Sequence, residues 1–126
     1  TQTSRQSAFL ALRAIQKGAF ADVALDKVLH QSNLSDRDRR LVTELVYGTI
    51  RRQRTLDTLI DQLATKKQPP PDLRIILNLG LYQLRYLSQI PDSAAVNTTV
   101  ELAKQNGFSG LAGFVNGILR QSLRSE

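Results

Sequence analysis

The chain has 126 residues, 41% of them hydrophobic and 22% charged, enough apolar matter for one buried core and too much for an intrinsically disordered polymer. Seventeen Lys and Arg against eleven Asp and Glu leave a formal charge of +6, a balance suited to polyanionic partners such as nucleic acid or an anionic membrane. Cysteine is absent, which removes disulfides, thiolate nucleophiles and cysteine metal ligands together, and no apolar run reaches the roughly 20 residues needed to cross a bilayer.

In chain order, Ser4 is predicted to cap a first helix whose apolar residues Ala8, Ala11, Leu12 and Ile15 recur at helical spacing, running to about Lys17 and stopped by Gly18. Asp22 is predicted to cap a short second helix carrying Val23, Leu25, Val28 and Leu29, with His30 at its surface end. Ser35 followed by Asp38, with Leu34 before them, gives a capping-box start to the longest helical pattern. Leu41, Val42, Leu45, Val46 and Ile50 form one stripe and Leu56, Leu59, Ile60 and Leu63 another, so a break near Gln53 is expected.

"KKQPPPD" holds three of the four prolines and reads as a stiff connector, since proline cannot continue a helix and biases the residue before it toward extended geometry. From Asp72, the broad apolar face of Leu73, Ile76, Leu77, Gly80, Leu81, Leu84 and Leu87 predicts a central buried helix. Pro91 precedes a further helix marked by Ala95, Val96, Val100 and Ala103 and closed by Gly107, and a last one begins near Ser109. No segment alternates with period two, so the fold class is all-α, about seven helices in a single domain over 1–126.

The chemistry-bearing residues point to binding. One histidine and scattered carboxylates offer no metal set, and no serine lies in a nucleophile motif, so no catalytic, cofactor or metal residues are assigned. "GFSGLAG" is not a phosphate-binding GxGxxG and follows no strand; Gly107 instead ends a helix, and Gly113 and Gly117 are expected to let a neighbouring helix approach closely. Arg54 with Asp57 and Arg40 with Glu44 stand at helical pair spacing, whereas Arg5, Arg13, Lys17, Arg51 and Arg52 have no such partner and become the phosphate-contact candidates, because guanidinium forks match phosphate oxygens. Tyr47, Tyr82 and Tyr86 are candidate base-stacking residues, Tyr82 being the one expected in the core. Asn97 and Asn116 are expected to be structural.

Four blocks in order, "LSDRDRRLVTELVYGTIRRQRTLD", "ILNLGLYQLRYLSQIPDSAAVN", "VELAK" and "GFVNGILR", resemble the NusB-like N-terminal domain of bacterial 16S ribosomal RNA cytosine-C5 methyltransferases, the Sun/Fmu (RsmB) family. The resemblance implies a NusB-like fold of two packed helical subdomains that helps bind ribosomal RNA. It implies a separate C-terminal methyltransferase domain that uses S-adenosylmethionine and catalytic cysteines, which this chain lacks, so the chain itself is expected to be non-catalytic and free of cofactor. It also brings the first helix forward as an RNA surface, with Arg5 and Arg13 first and Arg51, Arg52 and Arg54 after them.

Two rivals stand beside that reading. One is a free-standing antitermination factor acting with a ribosomal protein; the other is a protein-interaction module docked on its own catalytic domain. A cytoplasmic address and no membrane partner are expected. The chain holds no methionine, so Thr1 is not expected to be the translated start and the chain is expected to be a processed one or a piece of a longer protein; the resemblance implies that a further domain follows Glu126.

Overall fold

The computed structural model describes residues 3–124; Thr1 and Glu126, on which the expectation of a longer protein rests, lie outside them. The described residues form seven α-helices and one 3-10 turn, with no strand, and they group into two compact units that meet in sequence at Arg51 and Arg52.

The first unit contains α1 (Ser4–Gln16), α2 (Ala21–Gln31) and α3 (Asp36–Arg51), with α1 packed against both of the others. The cap of α1 is Thr3 rather than Ser4: the Thr3 hydroxyl accepts from the Gln6 N–H at 3.1 Å, and Ser4 is buried in the first turn. At the other end Gly18 takes φ +114°, its N–H donating to the Ile15 carbonyl and the Ala19 N–H to that of Ala14, both at 3.0 Å. This is a Schellman closure, and only glycine holds that backbone without strain.

Asp22 does not cap α2. Phe20 occupies the cap position without a side-chain bond, and the Asp22 carboxylate, inside the first turn, accepts from the adjacent Val23 N–H at 3.1 Å. Ser35 does cap α3, accepting from the Asp38 N–H at 3.2 Å. Arg39 ties α3 to the end of α2 by donating to the Leu29 carbonyl at 2.9 Å. Phe9, Ala11, Val42, Leu45 and Val46, each fully buried, are the centre of this core.

The second unit contains α4 (Gln53–Leu63), α5 (Pro71–Tyr86), α6 (Asp92–Gln105), a 3-10 turn (Ser109–Leu111) and α7 (Ala112–Arg124). Pro70 and Pro71 stand at the cap and first position of α5, where a missing N–H costs nothing. Nine consecutive residues, Ile75 to Gln83, are buried, so α5 is covered on every side, and it packs against α4, α6 and α7. The buried Gln83 amide is satisfied by donating to the Leu79 carbonyl at 3.0 Å.

Close helix approach occurs at Gly80, not at Gly113 and Gly117 as the sequence predicts. A Cβ at Gly80 would lie 2.8 Å from both γ atoms of Thr99 and 3.0 Å from Leu119, whereas one at Gly113 or Gly117 would meet nothing within 4 Å. The physical reason is position: α6 and α7 converge on α5 over Gly80, while the α7 glycines face outward.

Candidate nucleic-acid interface

Three basic residues of the first unit, Arg13, Lys17 and Lys27, meet between α1 and α2, while α3 carries Arg37, Arg39, Arg40 and Arg51. Leu10, Ala24 and Val28 line the floor of a groove of about 290 Å³ between these helices; Arg13 and Lys17 from α1 and Lys27 from α2 contribute its cations, and no carboxylate lines it. Arg13 is braced from below, its guanidinium carbon 5.2 Å from the ring centroid of Phe9, one turn earlier and wholly buried. A guanidinium resting on a core aromatic loses less freedom when it meets an anion than one on a free stem. Lys17, the C-cap of α1, and Lys27 are exposed.

Arg5, placed first by the family resemblance, differs from Arg13. It is half-buried; desolvation lowers its pKa from the ordinary arginine value, and the negative charge of Asp38 acts in the opposite direction. An arginine remains protonated under either influence, so the consequence is that part of its field is spent within the fold, on an acid that sequence spacing does not connect with it. Arg51 has an acidic neighbour as well. Its guanidinium is 3.9 Å from Glu44, the residue that helical spacing assigns to Arg40, with both side chains exposed. Such a surface pair is worth about 0–1 kcal/mol and leaves the guanidinium open to competition.

In the second unit, Asp57 is not Arg54's partner. Arg74 takes it at 3.5 Å, reaches Asp61 at 2.8 Å and bonds to Gln68, while Asn78 donates to Asp57 at 3.3 Å, so α5 is clamped to α4 by this network. Arg54 instead lines an open hollow of about 310 Å³ with Thr55, Thr58, Leu59 and Gln62 of α4 and Arg85 of α5. Arg52 lays its guanidinium over the Tyr86 ring, 4.7 Å from the centroid. Tyr86 in turn leans on Tyr82, with centroids 5.3 Å apart and rings tilted by 35°. Tyr82 is 4% exposed, the core residue expected of it, and Tyr47 is exposed on α3.

Sequence reading missed two residues, Lys27 and Arg85. Lys27 follows Asp26 in an unremarkable helix and joins Arg13 and Lys17 only through the packing of α2 on α1; Arg85 comes beside Arg54 only through the packing of α5 on α4. Asn97 is corrected from a structural residue to an exposed one, while Asn116 accepts from the Arg120 guanidinium at 3.0 Å. His30 is exposed and donates to the Asp26 carbonyl at 2.8 Å. Among the described residues no group of His, Cys, Asp and Glu could hold a metal ion, and no helix is long and apolar enough to cross a membrane.

A family model described as the NusB family matches residues 2–124. A protein of Synechocystis sp. named "Probable ribosomal RNA small subunit methyltransferase B" is 58% identical over 98% of this chain, and one of Bacillus subtilis with the same name is 42% identical over 91%. The "Ribosomal RNA small subunit methyltransferase B" of Thermus thermophilus is 42% identical over 94% of the chain. The chain spans only 28%, 27% and 29% of these relatives' lengths, respectively. Among solved structures, a crystal structure of the antitermination factors NusB and NusE in complex with dsRNA superimposes with a TM-score of 0.86 at 23% identity, covering 98% of this chain and 95% of the other. The fold is therefore that of NusB.

Proposed function

Because this chain belongs to the NusB family, we propose that it is the RNA-binding domain of a ribosomal RNA small subunit methyltransferase, holding ribosomal RNA mainly through its phosphates. The observation that carries the reading is the α1–α2 groove, where Arg13, Lys17 and Lys27 converge with no carboxylate among the lining residues. Phosphate contacts fix register and orientation without reading bases, which suits a domain that positions an RNA for chemistry performed elsewhere. Arg51, exposed beside Glu44, is a secondary contact, and Arg5, set partly inside the fold near Asp38, contributes chiefly to the local field.

The chemistry itself belongs in this proposal to a methyltransferase domain in the part of the longer relatives that this chain does not span. There S-adenosylmethionine would supply the methyl group for cytosine C5, and cysteine thiolates, of which this chain has none, would attack and release the ring. Identity of 58% to a named methyltransferase against 23% to the antitermination factor supports this reading over a free-standing antitermination role with a ribosomal protein. A module that only docked its own catalytic domain would have no need of a cation groove lined by no acid.

The test is a salt titration of RNA binding with Arg13, Lys17 and Lys27 changed to alanine. Each lost phosphate contact lowers the slope of log K against log salt by about 0.7 to 0.9, so the triple variant should be flatter by about 2 to 3. An unchanged affinity and slope would refute the assignment of the groove; failure of the unaltered chain to bind RNA would refute the function.

A further inference from the structure

We infer that the hollow between α4 and α5 is a subsite for one unpaired nucleotide, whose phosphate is taken by Arg54 and Arg85 and whose base stacks on the outer face of Arg52. The inference rests on the RNA-binding reading above and deepens it, adding to a phosphate-binding groove a place where single-stranded RNA is told from duplex.

Three observations converge on it. The hollow is lined by two arginines from different helices, two threonines and Gln62 around the apolar Leu59, and no carboxylate is among its lining residues. Arginine forks suit phosphate oxygens, and hydroxyl and amide groups suit a ribose. At about 310 Å³ it lies at the small end of ligand-pocket volumes, which begin near roughly 300 Å³, so it has room for one such unit.

The stack supplies the second observation. An arginine over a tyrosine is by itself an ordinary way to cover an aromatic, but here the column continues inward: Arg52 lies on Tyr86, Tyr86 on Tyr82, and Tyr82 is fixed in the core. The guanidinium plane is thus held before any ligand arrives, and a held planar cation is a stacking platform for any base. The third observation is adjacency along both helices. Arg52 stands three residues before Thr55, which lines the hollow, and Tyr86 follows Arg85 directly, so platform and hollow share their supporting turns. In a duplex both faces of each base are covered by neighbouring pairs, so only an unpaired nucleotide can use both parts together.

The experiment measures the affinity of the chain for a short single-stranded oligoadenylate, for a short RNA duplex and for an abasic phosphodiester oligomer, with Arg52→Lys and the double change Arg54→Ala with Arg85→Ala. Arg52→Lys keeps the charge and removes the planar face; it should weaken single-strand binding by about tenfold, the size of one lost stacked base, and leave duplex and abasic binding within about twofold. The double variant should weaken single-strand binding at least as much. Wild-type binding to all three RNAs with both variants equal to wild type on the single strand would overturn the subsite while leaving the RNA-binding function intact, and so would an equal loss by Arg52→Lys on single strand and duplex. Failure of the wild type to bind any of them would remove the function itself, and the subsite with it.

Discussion

Replacing Gly80 by alanine tests the central packing of the second unit with a magnitude that can be worked from distances. In an open helix the change stabilises by about 1 kcal/mol, because alanine loses less backbone entropy than glycine. At Gly80 the new methyl would lie 2.8 Å from both γ atoms of Thr99, closer than real Cβ contacts allow. Thr99 cannot easily yield, since it is β-branched and wholly buried and its hydroxyl donates to the Ala95 carbonyl at 2.7 Å. Overpacking of this kind costs about 1–3 kcal/mol, so the net expectation is a destabilisation of about 1 kcal/mol, or about 3–5 °C in Tm for a chain of this size. Gly117→Ala is the matched control: exposed, helical and with nothing within 4 Å of the added methyl, it should gain stability where Gly80→Ala loses it. Urea and thermal melts followed by circular dichroism read both. Equal gains at the two positions would refute the close approach of α6 and α7 to α5.

Two further substitutions test other parts of the fold. Gly18→Ala places a side chain at φ +114° in open space, so its cost is backbone strain alone; about 1–3 kcal/mol should appear in the same melts, and no loss would mean that the Schellman closure does not hold α1. Arg74→Ala releases Asp57, Asp61 and Gln68 together and leaves Asn78 facing a less neutralised Asp57, for a cost of about 1–3 kcal/mol, with faster amide exchange in α4 than in α6. A variant as stable as the parent would show that the α4–α5 clamp is ornamental.

The helices were legible because their signals are local. Gly18, the proline run before α5, Pro91 and Gly107 punctuate the chain, and apolar spacing between them fits the helices within a residue or two, except that α7 begins at Ala112, after a 3-10 turn, and not near Ser109. The errors at Ser4 and Asp22 are of the same local kind: Thr3 was already available one residue earlier to cap α1, and α2 begins one residue before Asp22.

Partners were harder to read, because side chains choose among neighbours that sequence spacing does not reveal. Asp57 stands three residues from Arg54 yet goes to Arg74, seventeen residues away, whose guanidinium reaches Asp61 and Gln68 at the same time. Gly113 and Gly117 have the spacing of a helix contact and lie on an outward face, while Gly80, read only as part of an apolar stripe, carries the contact. The candidate interface was half legible for the same reason. Arg13 and Lys17 stand out in a first helix without acids, but Lys27 and Arg85 acquire meaning only when a second helix brings them alongside.

The most direct test of the RNA-binding account is lysine footprinting: acetylation of each lysine, read by mass spectrometry, with and without small-subunit ribosomal RNA. Lys17 and Lys27 line the α1–α2 groove, whereas Lys104 sits on α6 beside Glu101 at 3.7 Å. The account predicts that RNA protects Lys17 and Lys27 strongly, more than Lys104, and that the protection is lost as salt is raised. Equal modification of Lys17 and Lys27 with and without RNA would contradict it.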